Sequence, residues 1–522
     1  MMTHPFSKVD FRMNRHLVID AALFVLLSIS LTIPCYRCVQ KKVGNSSEIA
    51  RVSMETVKIS TEKVSPNNPE KLSTEVSFDK QQIREEIRAF LKSRTQPNGL
   101  VASFANTSPY TSSGDGGTYH FYKRSHGKVG YLDDQAFTYD LALAAIGLIL
   151  EGRVQEADRI LSPLEEEFYL DKNGSSGLFN SYLVTSNIPL QDLTLGIDGD
   201  RIHAGPTLWI AIAALNHIKI TRSTRYLEFL LDILIWCRTK LNYYHFADGQ
   251  RGGISMGVGW GPDWSQIFCT EHNVDYFSVL QMTHDLYREA SPEVRDIFRE
   301  KGIDDVWLQD EMGHVGRWLR EVTFDPKDYV FRAGYALGHI DPMRVIDGTS
   351  WGIAGVGPEN LQALGIDPEK LMESTEKLIM ASYTLPNGKV IRGFDLTDPE
   401  GYAPHRAPLV WFEATGQQII AYRELGRYFE RKGNPEKAEK YKAKATEFLK
   451  YMNDFKEAYH LKGCLPYMSI NPDVYQVVKT MKDDWELPRA KYADVWVGCI
   501  SSTMWMLYGV DDYYNPMKWR MN

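Results

Sequence analysis

The sequence is poor in cysteine and lacks the common metal-binding motifs. Of its 522 residues only six are cysteine, and Cys237, Cys269, Cys464 and Cys499 form no CxxC pair among themselves. A cysteine-based zinc site is therefore not indicated, and the pairing of any disulfide cannot be deduced. His203, Glu271 and His272 likewise show no HExxH or comparable spacing. We expect no metal and no cofactor.

The sequence also has no excess of positive charge and no nucleotide-binding fingerprint. The net charge is −8, without a stripe of lysine or arginine, so nucleic acid is not an expected partner. The glycine-rich stretch GGISMGVGWGPDW (252–264) contains no GxGxxG that opens a helix. We interpret it as a loop that presents Trp260 and Trp264 to a ligand, because aromatic faces with polar edges suit sugars.

One long apolar run stands near the N-terminus. Leu17–Tyr36 follows three basic residues, and its length of about 20 residues is sufficient to cross a bilayer. No small-residue cleavage site follows, which favours an uncleaved signal anchor. Residues 43–77 are polar and rich in Ser, Thr, Lys and Glu, as in a flexible stalk. We predict a cytoplasmic segment (1–16), a transmembrane anchor in the lipid bilayer (17–36), a flexible linker (37–77) and an extracytoplasmic catalytic domain (78–522). The oligomeric state is left open.

Strand-like alternation is almost absent after Phe78, and the predicted fold class is all-α. Twelve helical segments of two kinds alternate along the chain. Six are amphipathic: 79–94, 153–168, 222–241, 304–322, 368–383 and 435–453. The other six are apolar or small on nearly all sides, which is typical of helices buried all round: 134–150, 205–220, 271–287, 348–364, 411–431 and 492–508.

The connections between these segments alternate in length. The links that lead into buried helices are long, and long loops are usually functional. This rhythm predicts six helical hairpins in a ring, with the buried helices as an inner barrel and the long loops around one mouth. The predicted architecture is an (α/α)6 barrel preceded by a transmembrane helix and a stalk.

Over residues 78–508 this arrangement resembles the six-hairpin glycosidase-like superfamily. Two segments also resemble a group of exported proteins: TEHN with a following aspartate (Thr270–Asn273, Asp275) and WFE with TGQ (Trp411–Glu413, Thr415–Gln417). The resemblance implies a helical-barrel fold and a carbohydrate ligand more than it implies a particular reaction.

Each junction between a long loop and a buried helix carries polar or acidic residues. One explanation is helix capping, since Asp, Ser and Thr satisfy free N–H groups at helix N-termini. The other is a ring of acids around one mouth. The acidic and histidine positions are Asp133, Asp134, Asp198, Asp200, His203, Glu271, His272, Asp275, Asp347, Glu413 and Asp494.

Glycoside hydrolysis needs two carboxyl groups, about 6.5–9.5 Å apart in inverting enzymes. Glu413 lies among apolar neighbours that would raise its pKa, and Glu271 has a second acid at i+4. We take Glu271, Glu413 and Asp134 as candidate catalytic residues. The candidate substrate-binding residues are Asp133, His203, Trp260, Trp264, His272, Asp275, Asp347, Trp351, Trp411, Gln417 and Asp494.

The function expected from these features is a membrane-tethered, exported inverting glycoside hydrolase that acts on oligo- or polysaccharide. Two alternatives stay open. A polysaccharide lyase or sugar epimerase on the same fold would use His203, His272, Tyr276 or Arg406. A non-catalytic glycan-binding accessory protein of polysaccharide biosynthesis would keep the aromatic residues without using the acids.

Overall fold

The computed structural model describes residues 79–104, 135–170, 176–184, 202–258, 264–398, 408–469 and 498–520, with the short strands at 122–123, 129–130, 491–492 and 495–496. The predicted cytoplasmic segment, membrane anchor and linker lie outside these ranges. Within them, no helix combines the length and the apolar character needed to cross a bilayer. The predicted fold is corrected on two counts, because the described chain contains no membrane-spanning helix and does contain short β-strands.

Fourteen helices occur in the described ranges. In chain order they are α1 (Lys80–Arg94), α2 (Thr138–Leu150), α3 (Val154–Tyr169), α4 (Ala204–Thr221), α5 (Leu227–Lys240), α6 (Thr270–Glu289), α7 (Pro292–Glu300), α8 (Asp305–Trp318), α9 (Ile346–Trp351), α10 (Pro358–Ala363), α11 (Pro368–Ile379), α12 (Phe412–Arg431), α13 (Pro435–Ala458) and α14 (Ile500–Val510). Two π-helical segments, Leu319–Thr323 and Gly352–Val356, continue α8 and α9.

Six of these helices form a closed inner ring. Helices α2, α4, α6, α9, α12 and α14 each pack on the next, and α14 packs back on α2. The sequences of α2, α4 and α14 explain their position, because these helices are apolar or small all round and almost every residue in them is buried. The amphipathic helices α1, α3, α5, α8, α11 and α13 pack outside this ring. Each has one apolar face, such as Leu371, Met372 and Ile379 in α11.

The strands are short and pair antiparallel. They are β1 (Tyr122–Lys123), β2 (Val129–Gly130), β3 (Gln135–Phe137), β4 (Ser181–Leu183), β5 (Ile202–His203), β6 (Tyr243–His245), β7 (Arg251–Ile254), β8 (Gly257–Val258), β9 (Ile267–Cys269), β10 (Phe324–Asp325), β11 (Val330–Ala336), β12 (His339–Arg344), β13 (Met380–Thr384), β14 (Val390–Phe394), β15 (Leu465–Pro466), β16 (Lys491–Tyr492), β17 (Val495–Trp496) and β18 (Gly498–Cys499).

The backbone just before each inner helix pairs with a segment of the next long loop, all the way round the ring. Strands β3, β5 and β9 pair with β4, β8 and β11. Single bridges continue the pattern, Val345 with Thr397 and Trp411 with Met468, and Cys499 closes it on Phe104. The N-termini of the six inner helices are therefore collected at one end of the barrel, inside a collar of paired loops.

Backbone carbonyls of the collar, and not acidic side chains, cap the inner helices. The first N–H of α2 donates to the Asn180 carbonyl at 2.9 Å, and that of α12 donates to the Tyr467 carbonyl at 3.1 Å. None of the six inner helices has a side-chain cap. Side-chain caps occur instead on outer helices, for example Asp79 on α1 and Asp367 on α11. Side-chain capping therefore does not explain the described acids Glu271, Asp347 and Glu413.

The segment after α14 fills the opposite end of the barrel. Asn216 of α4 donates to the Pro516 carbonyl and Ser278 of α6 to the Met517 carbonyl, both at 2.8 Å. The half-buried Lys518 ammonium donates to the carbonyls of Gly355 and Val356. A cation at this end complements the negative C-terminal ends of the inner helix dipoles. One end of the barrel is therefore sealed, and the other is the mouth.

Candidate active site

Equivalent positions on the six inner helices converge at the mouth. The second helical residues of α6, α9 and α12 are Glu271, Asp347 and Glu413. Three consecutive members of the ring thus carry a carboxyl group at the same height. Adjacent packed helices stand about 8–10 Å apart. We call Glu271, Asp347 and Glu413 the acid arc.

The acid arc is buried, and burial is the main cause of its altered acidity. The exposed fractions of Glu271, Asp347 and Glu413 are 7%, 4% and 1%. Burial raises the pKa of Asp347 to about 7 and that of Glu413 to about 8. The pKa of Glu271 is raised well above its usual range, first by burial and then by the negative charge of Asp347. At neutral pH the three acids therefore cannot all be ionised.

Asp275 lies one turn deeper on α6 and extends the acidic cluster. It is fully buried, and the Trp209 side chain, which favours its ionised form, interacts with it. Burial raises its pKa strongly, with a further contribution from the charge of Asp347. The predicted i+4 relationship of Glu271 and Asp275 is thus present, and Glu271 interacts more strongly with Asp347 than with Asp275.

Gln417 connects two members of the acid arc. It lies one turn after Glu413 on α12, and its Nε2 donates to Glu413 Oε1 at 3.4 Å. The same side chain hydrogen-bonds to Asp347 and lowers the pKa of that carboxyl against the effect of burial. Ser350 Oγ donates to Gln417 Oε1 at 2.9 Å, which fixes the amide with its N–H groups toward the acids. Gln417, predicted to bind substrate, is thus placed to orient two carboxyl groups.

Two hydroxyl groups that sequence reasoning missed also approach Glu413. Ser501 and Tyr139 hold the second helical positions of α14 and α2, equivalent to the acid positions. Both hydroxyls favour the ionised form of Glu413 and so oppose the burial effect on its pKa. The charge of Asp140, a third missed residue, raises the same pKa. Their common position at inner-helix starts was the available signal, but hydroxyls there resemble ordinary core or capping residues.

The predicted histidines meet beside Glu271. His203 precedes α4 directly, and its ring contacts the rings of Trp264 and His272 at centroid distances of 4.4 and 6.4 Å. A Cβ on Gly205 would lie 2.3 Å from the His272 ring, so glycine is required there. Burial lowers the pKa of His272 to about 3, and its imidazole is neutral.

The structure also brings three potential metal ligands together. One ligand atom each from Cys269, Glu271 and His272 lies within 4.8 Å of the others. Burial raises the pKa of the Cys269 thiol well above its usual range, so the thiol is protonated, whereas metals bind thiolate. The absence of a catalytic metal stays a prediction.

The three described tryptophans among the binding candidates are buried in protein contacts. Trp264 packs in a small cluster with Met256, Ile267 and Ala336. Trp351 contacts the rings of Tyr139 and Trp209, at 6.2 and 5.5 Å, inside the inner ring.

Trp411, the third of these tryptophans, immediately precedes α12 in the collar and is 3% exposed. Packing is the observed role of all three tryptophans, and their contact with a ligand stays a prediction. The remaining predicted residues, Asp133, Asp134, Trp260 and Asp494, lie outside the described ranges.

Two further residues of the TEHN-containing segment have structural partners. Asn273 Oδ1 accepts from the Ile254 N–H at 2.7 Å, and its Nδ2 donates to the carbonyls of Ile254 and Cys269. Tyr276 donates its hydroxyl to Glu311 at 3.3 Å, toward the outer helix α8. Asn273 therefore fastens the collar, and Tyr276 points away from the acid arc.

Comparisons with known proteins give a likeness of fold. No family model and no curated protein match the chain. A family 76 glycoside hydrolase from a bovine Bacteroides thetaiotaomicron strain superposes with a TM-score of 0.51 at 11% identity, over 83% of this chain and 77% of that one.

Two further solved structures are a glycosidase variant in complex with glucose and a D-mannose isomerase. The glycosidase has a TM-score of 0.48 at 9% identity, over 83% of this chain and 97% of its own. The isomerase has a TM-score of 0.48 at 13% identity, over 83% of this chain and 96% of its own.

Proposed function

We propose that the protein is a carbohydrate-active enzyme that hydrolyses glycosidic bonds of oligo- or polysaccharide with inversion. The observation that carries this proposal is the acid arc: three buried carboxyl groups at equivalent positions of consecutive inner helices. Their pKa values are raised to about 7 for Asp347 and about 8 for Glu413. General acid–base catalysis near neutral pH needs pKa values in this range.

Glu413 is the proposed proton donor. Its raised pKa keeps it protonated at neutral pH, and Tyr139, Ser501 and Gln417 hold the carboxyl group in place. In the reaction it gives its proton to the glycosidic oxygen as the bond from that oxygen to the anomeric carbon breaks. The electron pair of the bond remains on the departing oxygen.

Asp347 is the proposed base, with Glu271 as its partner. Asp347 has the lower pKa of this coupled pair, so it ionises first while Glu271 stays protonated. The ionised Asp347 takes a proton from the water that attacks the anomeric carbon. The spacing of neighbouring inner helices, about 8–10 Å, is of the order of the 6.5–9.5 Å separation of an inverting pair.

The charge of the site favours a neutral sugar. Among the described residues, no lysine or arginine contributes to the altered pKa values of Glu271, Asp347 or Glu413. A uronate substrate would bring a further negative charge to these acids, without a compensating cation among the residues that the structure describes. The lyase or epimerase alternative is weakened further, because Tyr276 faces Glu311 and the pKa of His272 is too low for an effective base.

The test uses purified full-length protein and soluble polysaccharides of two kinds. Neutral β-glucan, α-glucan and mannan are compared with alginate and polygalacturonate, and new reducing ends are measured. We expect release from a neutral polymer, with inversion of the anomeric centre visible by proton NMR. Release without inversion would replace this mechanism by a retaining one, and an unsaturated product would indicate a lyase.

The variants Glu413→Gln and Asp347→Asn should each reduce kcat by about 10²–10⁴-fold. Glu424→Gln is the matched control, since Glu424 is buried on the same helix about 16 Å nearer the sealed end. Because Glu424 is remote from the acid arc, the kcat of this variant should stay within about twofold of that of the unaltered protein. Equal losses in all three variants would show a folding effect and contradict the assigned roles.

A further inference from the structure

A second concave site lies beside the collar, outside the acid arc. It has a volume of about 410 Å³ and is lined by residues of β6, β9 and the turn between β11 and β12. Its principal side chains are Asn242, Tyr243, His245, Gln266, Phe268 and Tyr335. We call this site the aromatic groove.

A fixed aromatic cluster underlies the groove. The Tyr335 ring packs edge-on against Tyr244 at 5.1 Å, and Phe268 contacts Tyr244 and Tyr335 at 5.8 and 6.3 Å. Tyr335 and Phe268 are also cross-strand partners of β11 and β9. Tyr335 is only partly buried, so one part of this rigid cluster remains accessible.

The groove carries no charged side chain. The eight residues that line it include no aspartate, glutamate, lysine or arginine, although a quarter of the whole chain is charged. Its polar groups are amides, hydroxyls and an imidazole. Such a lining gives an anion, a cation or a charged polymer no counter-charge. It suits a neutral ligand with an apolar face and many hydroxyl groups.

The groove is also close to the acid arc. Phe268 in β9 and Glu271 in α6 are three residues apart, so their Cα atoms lie within roughly 10 Å. The strand therefore joins the floor of the groove directly to the first turn that carries Glu271.

We propose that the aromatic groove is a separate binding site for a neutral glycan chain, in which a sugar ring stacks on Tyr335. The site holds a part of the polymer remote from the bond that is cut. This inference rests on the proposed carbohydrate ligand and not on the proposed hydrolysis.

The test is affinity electrophoresis of the full-length protein in gels that contain laminarin, galactomannan, glycogen or alginate. The Glu413→Gln background prevents degradation of the polymer during the run. We expect one of the neutral polymers to retard the protein, and Tyr335→Ala to weaken this binding about tenfold, as loss of an aromatic contact predicts. Tyr513→Ala is the control, because Tyr513 is 72% exposed and belongs to the segment at the sealed end.

A second variant guards against an effect of Tyr335→Ala on folding. His245 is exposed on β6, and His245→Ala should weaken retardation in the same direction by a smaller factor. Retardation that is unchanged in both variants, or no retardation by any neutral polymer, overturns the proposal. If alginate retards the protein and Tyr335→Ala abolishes this retardation, the proposal that the groove binds a neutral glycan is overturned.

Measuring both binding and hydrolysis distinguishes a failure of the groove proposal from a failure of the proposed hydrolase. Binding that depends on Tyr335, without hydrolysis of any polymer, supports the groove and contradicts the proposed hydrolase. Hydrolysis of a polymer, together with retardation that is unchanged by Tyr335→Ala, supports the proposed hydrolase and contradicts the groove. Where both occur, Tyr335→Ala in the active protein should raise KM for the polymer and leave kcat unchanged.

Discussion

The indole N–H of Trp505 donates to the hydroxyl oxygen of Tyr139 at 2.8 Å, across the seam between the last and first inner helices. An indole can only donate, so the Tyr139 oxygen is the acceptor in this pair. The hydroxyl hydrogen of Tyr139 is then left to face Glu413, whose ionised form it stabilises. Closure of the ring thus orients a donor toward the proposed catalytic acid.

Tyr139→Phe should move the alkaline limb of the pH–rate profile upward. The Tyr139 hydroxyl lowers the pKa of Glu413, so its loss should raise that pKa above its present value of about 8. Glu413 must be protonated to act as the acid, and activity should therefore persist to higher pH. The measurement is kcat/KM against pH, from pH 5 to pH 10.

Tyr508→Phe is the matched control for this substitution. Tyr508 is equally buried on α14, but its hydroxyl donates to the Leu143 carbonyl at 2.5 Å, away from the acids. The alkaline limb of the pH–rate profile of Tyr508→Phe should lie at the same pH as that of the unaltered protein. A downward shift for Tyr139→Phe would contradict the assignment of Glu413 as the acid.

Gln417→Met should move the acidic limb of the pH–rate profile to higher pH. The Gln417 amide lowers the pKa of Asp347, which is about 7 in the intact site. Without the amide the base ionises at higher pH, so the pH range of activity narrows from its acidic side. The loss of one hydrogen bond to a charged group corresponds to a shift of about one pH unit.

Gln418→Met serves as the neighbouring control. Gln418 is also buried on α12, yet its amide contacts the sulfur of Met372 and not an acid. The pH profile of this variant should match that of the unaltered protein. An identical shift in both variants would mean that the helix has moved and that Gln417 has no specific effect on Asp347.

Glu413→Gln should stabilise the fold, and more so at pH 8 than at pH 5. The pKa of Glu413 is raised from 4.5 in the unfolded chain to about 8 in the folded one. The folded state therefore binds more protons between these values, and the free energy of unfolding falls as the pH rises through this window. The neutral amide removes this loss, with a gain of about 0.5–2 kcal/mol.

Thermal unfolding of both proteins at pH 5 and pH 8 measures this difference. Glu424→Gln again supplies the control, because Glu424 accepts hydrogen bonds from Arg427 and Asn515 and its replacement removes favourable contacts. A melting temperature for Glu413→Gln below that of the unaltered protein at pH 8 would show that the acid stabilises the fold.

Asn273→Asp should damage stability and spare the chemistry. Asn273 Nδ2 donates to two backbone carbonyls, and a carboxylate in its place would face both of them without a proton to give. The buried acceptors would lose their partner at a cost of about 1–3 kcal/mol. Urea denaturation measures this loss, while kcat per folded molecule should remain close to that of the unaltered protein. A large fall in kcat would give Asn273 a role in the reaction.

The alternation of buried and amphipathic helices could be predicted from the sequence, because the two kinds of helix differ in amino-acid composition. Helices that are apolar all round, such as Thr138–Leu150, differ visibly from amphipathic ones such as Pro435–Ala458. The strands of the collar could not be derived, since pairs such as Ile202–His203 are too short to show alternation. The expected all-α fold consequently omitted the element that gathers the inner helix N-termini.

The acid arc was only partly predictable for a related reason. Glu413 could be singled out because its neighbours in the sequence are apolar, and Glu271 because a second acid follows at i+4. Asp347 was expected to bind substrate, and its proposed role as base depends on its interactions with Glu271 and Gln417, which no local pattern reveals. Tyr139 and Ser501 could not be singled out, because their importance comes from distant parts of the chain that meet only in the fold.

The closure of the collar between Phe104 and Cys499 has a consequence for how the protein is made. The first inner helix, α2, completes its packing only when α14, the last helix of the ring, lies against it. Until α14 and the residues after it are available, Tyr139 lacks Trp505, and Asn216 and Ser278 lack their carbonyl partners. Closure of the ring therefore depends on α14 and the segment that follows it, because these supply the partners of buried polar groups on α2, α4 and α6.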